Sequence, residues 1–197
     1  MTVTDAENEG EVPTPSESDQ PLQAKLKQLG DRLVEAALLK GDFLLSSGTR
    51  SDYYLDKYLF ETRPDLLRDV TTELLNLVPD DVDRLAGPEL GAVPLVACMC
   101  LVGNLPYVIV RRKPKAYGTG RHFEGQIAVG ERVVLVEDVI TSGNQALTAA
   151  DHLRKFGVEL DVVICVLDRE EGAQLKFSEQ DLELRPLFTS SQLGIAP

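Results

Sequence analysis

Glu137 and Asp138 stand side by side in VVLVEDVITSG, residues 133 to 143, directly after the apolar run Val133 to Val136. Carboxylates placed where a buried strand emerges are costly unless something polar faces them. Ionised, they accept hydrogen bonds and donate none, so a ligand rich in hydroxyl groups suits them. The chain then passes through Val139 and Ile140 to Thr141, Ser142 and Gly143, a tight turn, and on to Asn144 and Gln145, which open a helix. Small residues in such a turn leave backbone N–H groups and hydroxyls free to meet an anion, with the helix N-terminus behind them. A phosphate monoester suits that cradle. A ribose 5-phosphate would satisfy both halves, its vicinal hydroxyls on the acids and its phosphate in the turn. The bland alternative is that the acids end the strand and cap the helix. A Walker A loop is excluded, because Gly-Lys-Ser/Thr has no counterpart here.

A second group of residues is basic. VRRKPKAYGTGRHFEG, 110 to 125, concentrates Arg111, Arg112, Lys113, Lys115 and Arg121 around Tyr117. Gly118, Gly120 and Gly125 make it flexible, and Pro114 keeps its start from becoming helix. It reads either as a solvated basic loop or as a lid that closes over a polyanion and excludes water. His122 in this loop reads either as a solvated side chain or as an acid group, and His152 on a helix face as structural. In VLDREEGA, 167 to 173, Arg169 is either a surface partner of Asp168 or a ligand-binding group at a strand end. Its planar fork suits a carboxylate.

The elements that must hold these residues follow from periodicity. Leu22, Leu26, Leu29, Leu33 and Ala37 fall at helical spacing and predict an amphipathic helix ending near Gly41. FLLSSGTRSDYYLD predicts two short strands around a Ser-Ser-Gly turn, and a helix from Pro64 should carry Leu66, Leu67, Val70, Leu74 and Leu75 inward. Strands are expected at DRLAG, YVIVR, RVVLVED, LDVVICVLD and LELRPLF, with helices over 92–103, 143–156 and 170–178. Strands apolar on both faces that alternate with helices imply an α/β fold, a parallel sheet flanked by helices, with ligands at the carboxyl ends of the strands. Residues 1–20, with six acidic residues and no Lys or Arg, predict a disordered tail. The rest, 21–197, reads as one domain with a small N-terminal hood over 21–60 joined by a C-terminal segment.

Composition narrows the partners. A net charge of -12 argues against general affinity for nucleic acid or an anionic membrane. No apolar run is long enough to span a bilayer, and no signal peptide opens the sequence. Cys98, Cys100 and Cys165 lie in apolar runs and read as buried reduced thiols, hence a cytoplasmic location.

The order of aliphatics, two acids, two aliphatics, Thr, Ser and Gly resembles the signature of type I phosphoribosyltransferases. Joined to the basic segment, it resembles the orotate phosphoribosyltransferase family from about Gly41 onward. FLLSSGTRSDYYLDK resembles the family's hood, GPELGAVPL (87–95) its pyrophosphate loop, RRKPKAYGTG its catalytic lid, and VLDREEGA the strand end where an Arg meets orotate. The resemblance implies transfer of phosphoribosyl from 5-phosphoribosyl 1-diphosphate to orotate, giving orotidine 5-phosphate and pyrophosphate in pyrimidine synthesis. It implies that Arg111, Arg112, Lys115 and Tyr117 serve the diphosphate, with Lys115 the catalytic lid residue. Glu137 through Gln145 should hold ribose and 5-phosphate, and Thr141 with Arg169 the orotate. Mg²⁺ arriving with the diphosphate and a homodimer with shared sites are also implied. Enteric and yeast members carry Lys where this chain has Gly91, Ser46 and Arg112, and His where it has Tyr117, a His in whose place His122 is near enough to serve. A second branch, including archaeal members, looks like GPELGAVP and KDYGTG, so these departures read as a branch difference. Alternatives are a purine or uracil phosphoribosyltransferase and a non-catalytic regulator that senses the diphosphate.

Overall fold

The computed structural model describes residues 20–44, 50–113 and 122–195. The expected acidic tail up to residue 19, the hood turn and the lid residues Lys115 and Tyr117 lie outside the described residues. Helix α1 (Gln20–Ala37) buries Leu29, Leu33 and Ala37 and stops short of Gly41, because the chain turns at once into strand β1 (Leu38–Leu44). β1 pairs antiparallel with β2 (Arg50–Leu55), Leu38 opposite Leu55, which gives the expected hood hairpin. A single helical turn not foreseen from periodicity follows, α2 (Tyr58–Glu61). Helix α3 (Pro64–Leu75) then starts on a proline, whose fixed φ and missing N–H suit a first helical position. It buries Leu66, Val70 and Leu74 fully, with Leu67 and Leu75 half-buried at its margins.

The main sheet is built from β3 (Arg84–Pro88), β4 (Tyr107–Val110), β5 (Phe123–Glu124), β6 (Val133–Ile140), β7 (Val162–Asp168) and β8 (Glu183–Thr189), in the order β5-β4-β3-β6-β7-β8. All pairs are parallel except the short, unanticipated β5, which runs antiparallel beside β4. Helices α4 (Ala92–Gly103), α5 (Asn144–Phe156) and α6 (Ala173–Ser178) connect them. Leu95, Val96 and Met99 of α4 pack with α1 and α3 against Val134, Val136 and Ile164. Ala146, Ala150 and Leu153 of α5 pack with Phe177 of α6 against Leu135, Val163 and Cys165 on the other face.

This layering fixes where a ligand can sit. α4 leaves β3 for one side of the sheet and α5 leaves β6 for the other, so the chain reverses direction between these two adjacent strands. The crevice at their carboxyl ends is the binding position of such sheets. One expectation is corrected here. The strand does not emerge at the acids at the end of RVVLVED but runs on to Ile140, since Glu137 pairs with Cys165 and Ile140 with Asp168. The two acids therefore lie inside β6, where the ladder to β7 continues past them. Cys165 is buried, Cys98 and Cys100 are half-buried, and all are free. Among the described residues no helix is long and apolar enough to cross a membrane.

Candidate active site

Glu137 and Asp138 point into the crevice from within the sheet and are only 8% and 4% exposed. Asp138 Oδ2 is ion-paired with Lys57 Nζ, and its Oδ1 accepts the Val139 N–H. Burial, reinforced by the Asp138 charge beside it, pushes the Glu137 carboxyl above its ordinary range, and Lys57 only partly offsets this. Glu61 of α2 is buried with neither carboxyl oxygen hydrogen-bonded. Burial and the neighbouring Asp138 charge raise it to about 8. Three carboxyl groups thus face one ammonium group.

The anion turn follows. Gly143 takes a left-handed φ of 77°, and a Cβ there would run into the Phe177 ring, so glycine is required on both counts. Behind it Lys176 Nζ donates to the Ser142 carbonyl at 3.0 Å and to Asn144 Oδ1 at 3.2 Å, bracing the turn from outside. Val139, Ile140, Thr141, Ser142, Gly143, Asn144 and Gln145 line one cavity of about 550 Å³ with Glu137, Asp138 and Arg112. Arg111 faces a smaller cavity next to it, shared with Arg112, Asn144 and Gln145. Both arginines are tied to Glu89 in the loop after β3. The Arg112 backbone N–H donates to Glu89 Oε1 at 2.9 Å, and Arg111 Nη1 lies 3.8 Å from Glu89 Oε2.

A second cavity, about 890 Å³, opens under the hood between Leu39, Phe43, Leu44, Tyr54 and Leu55 on one side and Thr141 and Arg169 on the other. Arg169 is no partner of Asp168, whose carboxylate accepts the Glu170 N–H. Its Nη2 donates to Tyr53 Oη at 2.7 Å. Its Nε, 3.3 Å from Glu171 Oε1, is buried without a well-aligned hydrogen bond. Thr141, Val139, Lys57 and Glu171 line both cavities, so the two adjoin.

The structure thus brings together Arg112, Arg169 and the whole of 137–145, with Arg111 at the margin. Sequence reasoning missed Lys57, Glu61, Glu89 and Tyr53. It also missed that His122, half-buried rather than freely solvated, stacks on His152 of α5 with ring centroids 3.9 Å apart. Burial and His122 hold His152 below the usual imidazole range.

The buried acids give a pH dependence of stability. Glu61 keeps its proton to about 8 when folded, against 4.5 as its ordinary value, so the folded chain binds more protons across that window. Its contribution therefore falls as pH rises from the lower value to the higher, and is level above it. Asp65, held down to about 2 by Arg63 and Arg32, acts in the opposite sense and only at lower pH. Melting temperature should peak on the acid side of neutrality and decline towards mildly alkaline pH. A pH series of thermal melts checks this, and Glu61→Gln should make the decline shallower; an equally steep decline would remove Glu61 from the account.

No protein-family model matches the chain. Its sequence is 47% identical over 168 residues to the orotate phosphoribosyltransferase of Natronomonas pharaonis, covering 85% of this chain and 96% of that one. It is 42% identical over 175 residues to the orotate phosphoribosyltransferase of Methanocella arvoryzae, covering 89% and 97%. The chain belongs to the orotate phosphoribosyltransferase family. The family's solved structures agree in fold. The orotate phosphoribosyltransferase of Aeropyrum pernix superposes with a TM-score of 0.76 at 30% identity, over 84% of this chain and 95% of that one. The Mycobacterium tuberculosis orotate phosphoribosyltransferase in complex with 5-phospho-alpha-D-ribosyl 1-diphosphate superposes with a TM-score of 0.72 at 26% identity, over 87% and 99%. The expected α/β architecture with a small N-terminal hairpin is therefore that of the orotate phosphoribosyltransferase family.

Proposed function

We propose that the chain transfers phosphoribosyl from 5-phosphoribosyl 1-diphosphate to orotate, giving orotidine 5-phosphate and pyrophosphate in pyrimidine synthesis. The observation that carries this reading is the join of the two cavities at Thr141. One is built for a sugar phosphate, and the other holds an arginine under an aromatic hood. The 5-phosphate rests on the turn from Thr141 to Gln145 at the start of α5, and the ribose hydroxyls donate to Glu137 and Asp138. Orotate enters under the hood with its carboxylate on Arg169, and its ring nitrogen approaches the anomeric carbon as the diphosphate departs. The developing charge on the leaving group is met by Arg111, Arg112 and Lys115, whose effect grows once the lid, with Tyr117, excludes water. Lids exchanged between the two subunits of a homodimer complete the arrangement.

No group of three His, Cys, Asp or Glu able to hold a metal occurs among the described residues. The acids that face the crevice suit a cation that brings most of its own oxygen ligands. Mg²⁺ carried on the diphosphate fits, and would supply further positive charge to the leaving oxygens.

The decisive assay follows the loss of orotate absorbance with the diphosphate substrate and Mg²⁺. Hypoxanthine, adenine and uracil serve as controls, and consumption of one of these in place of orotate would assign a different base. Arg169→Ala should cost orotate affinity about 1.5–3 kcal/mol, the range for a hydrogen bond to a charged group. Titration of orotate into enzyme saturated with a diphosphate analogue measures it. Unchanged affinity would put the base elsewhere.

A further inference from the structure

The hood sends one ammonium group into the centre of the site, and neither the anion turn nor the lid accounts for it. Lys57 lies between β2 and α2, and its Nζ is ion-paired with Asp138 Oδ2 across the junction of the two cavities. The position is built into the fold. Gly91, at the start of α4, leaves the room for it, since a Cβ there would overlap the Asp138 carboxylate and stand 2.6 Å from Nζ. The Lys57 side chain is 29% exposed while that of Asp138 is 5% exposed. The ammonium is therefore sheltered on one side and open to a ligand on the other.

A bound phosphoribosyl diphosphate changes the balance of charges around this group. In the free site the ammonium answers Asp138, the acid it is ion-paired with. Ribose hydroxyls that donate to Asp138 take over part of that duty. The diphosphate on C1 meanwhile brings oxygens that need a donor. An ammonium on a flexible four-carbon stem has rotatable donors and can change acceptors without any backbone movement.

We propose that Lys57 is a catalytic residue that pairs with Asp138 in the free site and donates to the departing diphosphate oxygen in the reaction. This role rests on the phosphoribosyl transfer argued above. In the step, the bond from the orotate nitrogen to C1 forms while the bond from C1 to the diphosphate oxygen breaks, and the electron pair leaves with pyrophosphate. Lys57 keeps its proton and stabilises that oxygen through a hydrogen bond. It belongs to the same chain as Asp138, so its contribution is independent of which subunit supplies the lid.

The test compares wild type, Lys57→Met and Lys57→Arg in steady-state assays with both substrates varied, alongside thermal melts. Loss of a donor aimed at developing charge predicts a fall in kcat of about 100-fold for Lys57→Met, with KM for the diphosphate substrate little changed. Lys57→Arg should recover most of the loss. A lysine that merely tethers the hood would instead raise KM for orotate and lower the melting temperature while sparing kcat. That pattern, or an unchanged kcat, would overturn the role. If Lys57→Met melts below the assay temperature, Lys57→Gln makes the same comparison with a polar neutral side chain. Wild-type enzyme that leaves orotate untouched would overturn the transfer reading itself, a result separate from an active wild type with an indifferent Lys57.

Discussion

Glu137→Gln combined with Asp138→Asn should lower kcat/KM for the diphosphate substrate by about 100-fold or more, while the protein still folds. Asp138 loses a charge-assisted hydrogen bond to a ribose hydroxyl, about 1.5–3 kcal/mol, and the weakened second bond at Glu137 adds to it, so the two together reach that range. The effect on stability should be much smaller because two changes oppose each other. Asn at 138 leaves Lys57 without its ion pair. Asn at 138 also removes the charge that, after burial, does most to push the Glu61 and Glu137 carboxyls upward. Steady-state kinetics and thermal melts on the same preparation decide the matter. Near-normal kcat/KM would mean that the acids do not hold the ribose.

Lys115→Ala should lower kcat by about 100-fold or more while affecting ground-state binding less, because leaving-group charge develops mainly in the transition state. Lys115 lies in the segment that begins at Arg111 and Arg112, both next to the cradle. If lids are exchanged between subunits, mixing this variant with the Glu137/Asp138 double variant restores activity. Each hybrid dimer then contains one site with a sound lid and a sound cradle. Proven subunit exchange without recovery would show that each lid serves its own chain.

The helix boundaries in the α/β part follow closely from the sequence. Residues 92–103 form a helix from Ala92 to Gly103, with Asn104 left-handed at its end, because small and proline residues mark its start and a turn-former its close. The strands are recognisable because both faces are apolar. β6 was the exception, and its chemistry explains why. Adjacent charges ordinarily signal exit into solvent, but here a cationic side chain from a distant part of the chain lets one of them stay buried in the ladder. That cation, Lys57, is 81 residues away from Asp138 in sequence, so no local pattern announces it. α2 has only four residues and is too short for any periodicity to show, which hid Glu61 as well. Local motifs therefore singled out the turn at 141–145, the hairpin and Arg169, which the structure brings to adjoining cavities. The charges that balance one another across the crevice depend on tertiary approach.

Glu89 gives the site an internal competitor. Its carboxylate already occupies the Arg112 backbone N–H and faces Arg111 at the root of the lid. A ligand with a single negative charge that binds there exchanges one anion for another and gains little. A diphosphate, with more charge and more acceptors than one carboxylate, gains on the exchange. The carboxylate in the loop after β3 should thus favour ligands of higher negative charge over singly charged ones beside these two arginines.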